Sequence, residues 1–221
     1  MKLTIVAATG GIGRQILQQA VAAGHDVTAV VRNPAKITAN VRVVRVDLSA
    51  PDPVALAAAV EGADAVLSGL GGSSRADEDV AARGTQAIVT AMKTAGARRV
   101  IVVSAAPIGT VPSPGRPYPP KGDPGDGFLI RHLLGPVIKA VLRGHYADLA
   151  RMEDVLGDSG LDWTVVRPPR LTNKPATGRY RTAAGQNVRG GALISRADAA
   201  GFMLALAARP ETAGQVMAIA N

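Results

Sequence analysis

The chain contains no cysteine and few aromatic residues, with one Trp, three Tyr and two Phe among its 221 residues. The absence of cysteine excludes disulfides, thiolate metal sites and a cysteine nucleophile. The scarcity of aromatic rings argues against a protein that stacks on nucleic-acid bases. No apolar run reaches the length that spans a membrane, and the N-terminus enters a strand pattern directly rather than a signal peptide. We therefore expect a cytoplasmic protein with neither a nucleic-acid nor a membrane partner.

Positive charge is in excess, and it is spread along the chain. Lys and Arg number 25 against 17 Asp and Glu, which gives a formal net charge of +8. Such an excess favours an anionic partner, but no block of Lys and Arg marks a nucleic-acid site. A phosphorylated cofactor would account for part of the charge, and a solvated surface for the rest. The three His residues have no metal-ligand spacing, so we expect no metal site.

Strand and helix patterns alternate along the whole chain. The predicted strands are residues 3–7, 26–31, 41–46, 65–68, 100–104, 163–166 and 216–219. The predicted helices are residues 13–23, 53–60, 77–95, 130–156 (with an interruption) and 196–208. This alternation predicts one α/β domain over residues 1–221, a doubly wound Rossmann fold with a mainly parallel sheet. We expect the strand order 3-2-1-4-5-6 with room for a seventh edge strand, and a ligand crevice at the C-terminal ends of strands one and four.

A glycine-rich turn joins the first predicted strand to the first predicted helix. It contains Thr9, Gly10, Gly11, Ile12 and Gly13. A helix N-terminus presents unpaired N–H groups and the positive end of the helix dipole, and glycine lets a phosphate approach the backbone. The alternative is a turn that is small only because strand and helix pack closely. The flanking strand and helix favour dinucleotide binding.

Five motifs follow one another along the chain. They read AATGGIG at residues 7–13, VRNPAK at 31–36, VDL at 46–48, SGLDWTVVRPP at 159–169 and ISRAD at 194–198. In this order they resemble the atypical short-chain dehydrogenases/reductases. More narrowly, they resemble the NAD(P)H-binding reductases related to flavin and biliverdin-IXβ reductase and to NmrA-like proteins. That group begins Gly-Ala-Thr-Gly-x-x-Gly, and here Ala7 replaces the first glycine. We expect this replacement to cost little, on the condition that residue 7 does not need a positive φ angle.

The residues after the second predicted strand indicate the kind of dinucleotide. A site that prefers NAD places an acid there to hold the ribose 2′-hydroxyl, whereas this chain has Arg32, with Lys36 close by. An arginine pairs with a 2′-phosphate and stacks on adenine. We therefore predict NADP(H), the alternative being that Arg32 is only a solvated strand-end residue. By resemblance, Asp47 and Leu48 form the wall beside the adenine, although Asp47 is also suited to cap the next helix.

Two further strand ends are predicted to contact the cofactor or the substrate. Gly69, Leu70 and Gly71 follow strand four and would let the chain pass close to the ribose and nicotinamide, the alternative being an ordinary turn. By resemblance, Pro168 at the end of strand six lines the nicotinamide pocket. Arg170 is placed to meet an anionic substrate.

Two residues are candidates for catalysis. The group usually has a serine at the end of strand five, and Ser104 has that place, where its hydroxyl would bond the carboxamide, a substrate carbonyl or a flavin edge. Standard members of the superfamily carry Tyr-x-x-x-Lys on the following helix, where the Lys lowers the pKa of the Tyr. Here Tyr146 is paired with Ala150 instead of Lys, so Tyr146 is either catalytic or a packing residue. His145 titrates near neutral pH and is either a substrate contact or structural.

Residues 107–127 interrupt the alternation, because they are crowded with Pro and Gly, which disfavour regular structure. They follow strand five, where the crevice opens, and so predict either a substrate-facing lid or a mobile surface loop. A polyproline ligand for a partner domain is a weaker alternative, because the run is short and interrupted. His132 lies just beyond this segment and could reach the substrate from there, but nothing in the sequence requires that contact.

The residues and the resemblance together predict an NADP(H)-dependent oxidoreductase. It would transfer hydride to a flavin, a quinone or a small carbonyl compound, and its basic residues suit a flat, anionic substrate. The absence of Lys at position 150 supports a second hypothesis, a non-catalytic NADP(H)-sensing regulatory protein of the NmrA-like kind. A nucleotide-sugar epimerase is disfavoured, because such enzymes usually keep Tyr and Lys and carry a larger C-terminal substrate domain. The oligomeric state is left open.

Overall fold

An eight-stranded sheet runs through the centre of the molecule, which a computed structural model describes over residues 1–71, 79–127, 133 and 135–221. The strands are β1 (Lys2–Val6), β2 (Asp26–Val31), β3 (Arg42–Arg45), β4 (Ala65–Ser68), β5 (Arg99–Val103), β6 (Asp162–Arg167), β7 (Arg170–Thr172), β8 (Arg181–Ala184), β9 (Leu193–Ser195) and β10 (Gln215–Ala220). Their order in the main sheet is β3-β2-β1-β4-β5-β6-β10-β8, which confirms the predicted doubly wound arrangement. The predicted seventh strand is β10, which pairs parallel to β6.

The helices are α1 (Gly11–Ala22), α2 (Pro53–Val60), α3 (Val80–Ala95), α4 (Gly135–Val141), α5 (Arg143–Gly157) and α6 (Arg196–Ala207). The predicted interrupted helix over 130–156 corresponds to α4 and α5. Residues 130–132 and 134, which include His132, and the first two residues of the predicted helix at 77–95 lie outside the described residues.

Two apolar layers cover the two faces of the sheet. On one face, Ile16 of α1 and Met203 of α6 pack in a cluster with Ile5 of β1. On the other face, α2, α3 and α5 form a second cluster. Successive side chains of a strand point to opposite faces, so Val6 belongs to this second cluster while Ile5 belongs to the first. Because both faces are covered, the central strands read as continuous apolar runs rather than as alternating patterns.

Three strands were missed by the sequence patterns. β7 and β9 form a separate two-stranded parallel sheet in which Thr172 lies opposite Ser195. β8 pairs antiparallel with β10 and forms the edge of the main sheet, outside the strand that was expected there. These strands have three or four residues each, too few for a period-2 pattern to stand out.

The Pro/Gly-rich segment at 107–127 is anchored by side chains from other parts of the fold. The carboxylate of Asp154 on α5 accepts hydrogen bonds from the Ser113 hydroxyl and the Gly115 N–H, both at 2.9 Å. Asp123 accepts from the backbone N–H of Asn187 at 2.8 Å. These bonds hold the segment against α5 and against the loop that follows β8. Its role as a substrate lid stays a prediction.

Candidate nucleotide-binding cleft

A cleft of about 480 Å³ opens at the C-terminal ends of the central strands. Its walls combine the glycine turn, the ends of β2 and β5, the residues after β3 and β4, and two positions on α5. Most of the predicted site residues line it: Thr9, Gly10, Gly11, Ile12, Arg32, Asp47, Leu48, Gly69, Leu70, Gly71, Ser104 and His145. The fold therefore brings together residues from six separate segments at the predicted crevice.

The glycines of the turn, and Gly69 after β4, differ in whether they allow close packing or face the cleft. A Cβ on Gly13 would lie 2.2 Å from the carbonyl oxygen of Ala7, and a Cβ on Gly69 would lie 2.7 Å from the backbone nitrogen of Gly13. These two glycines are needed because α1 packs directly on the chain at the ends of β1 and β4. Gly13 lies outside the cleft lining. Gly10 and Gly11, in contrast, face the cleft.

The N-terminus of α1 is suited to an anion. Gly10 is its N-cap residue and has no side chain to cap the helix, and the first turn contains no acidic residue. The N–H groups of a first helical turn have no partner within the helix. Together with the positive end of the helix dipole, they form a phosphate-binding position.

Ala7 adopts a left-handed backbone conformation, with φ at 57°. The replacement of glycine by Ala7 was expected to cost little on the condition that residue 7 does not need a positive φ angle. That condition is not met. A non-glycine residue in this region is strained because its Cβ approaches the neighbouring carbonyl. The backbone conformation at residue 7 thus favours the glycine that the motif has there, and Ala7 adopts it under strain.

At one end of the cleft, Arg32 and Asp47 lie close enough to interact. The hydroxyl and backbone N–H of Ser49 donate to Asp47 Oδ1 at 2.7 and 3.0 Å. These two bonds, helped by the nearby Arg32 and Arg45 guanidinium groups, hold the pKa of Asp47 below its ordinary value. Asp47 therefore closes its own turn and stays ionised.

The helix-capping alternative for Asp47 was wrong. Asp52 caps α2, accepting from the N–H groups of Val54 and Ala55 at 2.9 and 3.1 Å. Lys36 is exposed in a short 3₁₀ turn, Pro34–Lys36, and lies outside the cleft lining.

At the other end of the cleft, Ser104 is held by a buried ion pair. Its hydroxyl donates to Oε1 of Glu153 at 2.7 Å. Arg167 donates to the same oxygen from Nε at 2.9 Å and pairs with Oε2 through Nη2. The Arg167 and Glu153 side chains are only 6% and 8% exposed. Because the Ser104 proton is directed at a carboxylate, the lone pairs of its oxygen are left for the cleft, and Ser104 is an acceptor there.

Tyr146 packs into the apolar core and does not line the cleft. Burial raises the pKa of its phenol above the ordinary value, which disfavours the deprotonated form. Ala150, at the position of the standard Lys, is fully buried. These observations favour the packing interpretation of Tyr146, and its catalytic role stays a prediction.

His145 lines the cleft beside Leu149, one turn further along α5. Burial lowers the pKa of His145 below its ordinary value of 6.5, against a smaller opposing effect of Asp148. The imidazole is therefore neutral at pH 7, with one nitrogen that donates and one that accepts.

Pro168 and Arg170 lie outside the cleft lining. The Pro168 carbonyl accepts from the Ala106 N–H at 2.9 Å, which ties the end of β6 to the start of the Pro/Gly-rich segment. Arg170 is exposed at the beginning of β7, next to Leu171, which does line the cleft. Contact of these two residues with cofactor or substrate stays a prediction.

A family model described as NAD(P)H-binding matches residues 7–210. The chain belongs to this NAD(P)H-binding family. Its relatives include UPF0659 protein C216.03 of Schizosaccharomyces pombe, which is 28% identical over 190 residues, 80% of this chain and 74% of the relative.

Solved structures share the fold of this NAD(P)H-binding protein over its whole length. A short-chain dehydrogenase/reductase from Veillonella parvula in complex with NADP is 20% identical, with a TM-score of 0.76, and the match covers 100% of this chain and 94% of that one. ChuY, an anaerobillin reductase from Escherichia coli O157:H7, is 24% identical, also with a TM-score of 0.76, and the match covers 100% and 97%.

Sequence reasoning missed two charged residues of this NAD(P)H-binding fold. Arg196 lines the cleft from the start of α6, and the ISRAD motif that contains it was the available signal. Glu153 orients Ser104 from α5, where it shares a helix face with Tyr146. Neither role follows from spacing alone, because the partners Gly11 and Ser104 are distant along the chain.

Within the described residues, no helix is long and apolar enough to cross a membrane. The same part of the chain contains no group of three or more His, Cys, Asp or Glu side chains placed to hold a metal ion.

Proposed function

We propose that this protein is an NADP(H)-dependent reductase whose acceptor is a flavin, a quinone or a small conjugated carbonyl compound. The observation that carries the cofactor assignment is Arg32, which lies in the cleft directly after β2, where a site that prefers NAD has an acid. Its guanidinium is always charged and suits the 2′-phosphate that distinguishes NADP from NAD. The V. parvula relative crystallised with NADP supports this choice by analogy of fold.

The residues present fit a dinucleotide. The uncapped start of α1, with Gly10 and Gly11 open to the cleft, suits the pyrophosphate. Leu48 and Leu70 offer apolar surface for the adenine and the ribose. When bound, the nicotinamide supplies a hydride to the acceptor.

Ser104 would position the reacting end of the cofactor rather than polarise the acceptor. Its proton is committed to Glu153, so its oxygen accepts a hydrogen bond from an N–H group in the cleft. Of the three roles considered for Ser104, this orientation favours the carboxamide, whose NH₂ is a donor, and disfavours a substrate carbonyl, which has none.

His145 is the candidate for proton delivery to the reduced acceptor. It lines the same cleft as Ser104 and is neutral at pH 7, so the nitrogen that carries hydrogen can donate. Arg170, beside the cleft-lining Leu171, is the candidate for binding an anionic group at the rim. The anaerobillin reductase ChuY, which shares the fold, supports a reductive role by analogy. The proposal itself is argued from the residues of the cleft, because fold alone does not determine function.

NADPH oxidation tests the proposal directly. Absorbance at 340 nm would be followed with FMN, FAD, menadione and a panel of aldehydes, alongside an equilibrium titration of NADPH. Turnover with at least one acceptor supports the reductase. Tight NADPH binding without turnover supports the alternative, a regulatory NADP(H)-binding protein, which the burial of Tyr146 and Ala150 favours.

A further inference from the structure

We propose that Arg196 binds the pyrophosphate of the dinucleotide and holds it against the N-terminus of α1. This inference rests on the proposed function and adds a binding residue that the glycine motif does not contain. It divides the recognition of the cofactor between two cations, with Arg196 on the pyrophosphate and Arg32 on the 2′-phosphate.

The small sheet of β7 and β9 places Arg196 at the cleft. Ser195 ends β9 and caps α6 through its hydroxyl, which accepts from the Asp198 N–H at 2.9 Å. Arg196 is therefore the first residue of α6. Because Ser195 lies opposite Thr172 in the small sheet, Arg196 lies beside Asn173, which follows Thr172. Nη1 of Arg196 donates to Oδ1 of Asn173 at 2.7 Å. This bond fixes one edge of the guanidinium and leaves its other donors for a ligand.

The guanidinium lies over the glycine turn. A Cβ added to Gly11 would be 2.8 Å from Nε of Arg196 and 3.0 Å from its Cδ. Contacts this short would force the arginine to move, so the absence of a side chain at Gly11 makes room for Arg196 as well as for a phosphate. Both residues line the same cleft.

Arg196 lies in the first turn of α6, where the one acid, Asp198, is hydrogen-bonded to Thr177, Gly178 and Ser195 and forms no ion pair with Arg196. A cation in the first turn of a helix opposes the positive end of the helix dipole. Its one hydrogen bond between side chains in the described residues is to the neutral amide of Asn173, and no ion pair with a carboxylate is found there. The cation also faces the uncapped N-terminus of α1, which adds further positive potential. A doubly charged pyrophosphate there would supply the negative charge that the first turn of α1 lacks, and it would pair with Arg196.

The roles of Arg196 and Arg32 can be distinguished by the ligands whose binding each residue supports. NADPH, NADH and ADP all carry the pyrophosphate, whereas only NADPH carries the 2′-phosphate. Arg196→Gln should therefore weaken binding of all three ligands by a similar factor, about tenfold, as expected for loss of a charge-assisted hydrogen bond. Arg32→Gln should weaken NADPH alone. Arg196→Lys keeps the charge but not the planar fork, so its affinities should lie between those of the wild type and Arg196→Gln.

Arg14→Gln is the matched control. Like Arg196→Gln, it removes one positive charge, here from the first turn of α1. Arg14 is exposed and lies outside the cleft lining. Its dissociation constants should stay within about twofold of the wild type, as for other exposed charges. Circular dichroism and thermal unfolding of each variant without ligand would establish that the fold is kept.

The dissociation constants of NADPH, NADH and ADP, measured by calorimetry for the wild type and the four variants, decide the matter. A uniform loss in Arg196→Gln, with an unchanged ratio of NADPH to NADH affinity, supports the proposal. Unchanged ADP affinity in Arg196→Gln overturns it and leaves the proposed function standing. An equal loss in Arg14→Gln also overturns it, because the effect is then one of total charge. If the folded wild type binds none of the three ligands, the proposed function itself fails.

Discussion

The Ser104 hydroxyl donates to the Glu153 carboxylate across 2.7 Å, and the same carboxylate is paired with Arg167. Ser104 reaches the cleft and Glu153 does not, so a buried ion pair determines which hydrogen-bonding role the cleft serine has. Arg167 and Glu153 remain paired when the serine hydroxyl is removed. Substitution of Ser104 can therefore change activity without the loss of stability that breaking the ion pair would cause.

Ser104→Ala should therefore mainly affect activity, and Glu153→Gln should mainly affect stability. Ser104→Ala should lower kcat/KM for NADPH oxidation by about tenfold and change the free energy of unfolding by only about 1 kcal/mol, since one hydrogen bond is lost. Glu153→Gln should reduce the free energy of unfolding by about 3 kcal/mol, because Arg167 is left as a buried charge without its counterion. Steady-state kinetics and urea unfolding measure the two effects. Unchanged kinetics in Ser104→Ala would contradict its assignment as a positioning residue.

Ala7→Gly should stabilise the protein. The left-handed backbone at residue 7 costs alanine about 1 kcal/mol relative to glycine. For a domain of this size, the melting temperature should rise by about 2–4 °C. Ala8→Gly is the control, because Ala8 is fully buried and has no positive φ, and it should lower the melting temperature. A lower melting temperature in Ala7→Gly would show that the backbone at this turn is not strained.

Asp198 should make stability depend on pH in the acid range. Its buried carboxylate accepts from the Thr177 and Gly178 N–H groups, both at 2.9 Å, and from the Ser195 hydroxyl at 2.8 Å. Burial acts to raise its pKa, but these hydrogen bonds outweigh burial and hold the pKa below the ordinary value of 3.8. The stabilisation is complete above the unfolded-state pKa and is lost as the pH falls through the lower folded-state pKa.

Urea unfolding between pH 7 and pH 3 tests this dependence. At pH 7, Asp198→Asn should be less stable than the wild type by about 2 kcal/mol, because the Thr177 and Ser195 hydroxyls that donate to Oδ2 of Asp198 would meet an NH₂ group in its place. The gap should narrow as the pH drops below 3.8, because the carboxylate of the unfolded wild type takes up a proton there while that of the folded protein is still ionised. A gap that stays constant over the whole range would exclude ionised Asp198 as the cause.

The sequence could predict the central architecture because that information is local. The strand, glycine turn and helix around Gly10 occupy consecutive residues, and the apolar runs of the buried strands follow from coverage on both faces. The three short strands could not be predicted, since β7, β8 and β9 depend on pairing between distant segments. For the same reason the turn glycines could not be divided into those that pack, such as Gly13, and those that face the cleft.

Most of the side chains of the site that could be predicted come at or shortly after the end of a strand, with His145 on α5 as the exception. Arg32 and Ser104 come at strand ends, and parallel strands bring their carboxyl ends to one edge. Glu153 and Arg196 come from helices, and their relation to Ser104 and Gly11 appears only when the chain is folded. Tyr146 illustrates the converse, because a familiar motif position proved to lie in the core.

The affinities of NADPH and NADH for the wild type, Arg32→Gln and Arg45→Gln test the central claim most directly. Arg45 ends β3 near Asp47 but lies outside the cleft lining, so it controls for loss of a nearby charge. The account predicts that the wild type binds NADPH more tightly than NADH, and that Arg32→Gln loses about tenfold or more in NADPH affinity. In that variant NADH affinity should change by no more than about twofold, and Arg45→Gln should resemble the wild type. Equal affinity of the wild type for NADPH and NADH, unaffected by Arg32→Gln, would contradict the assignment of this cleft to NADP(H).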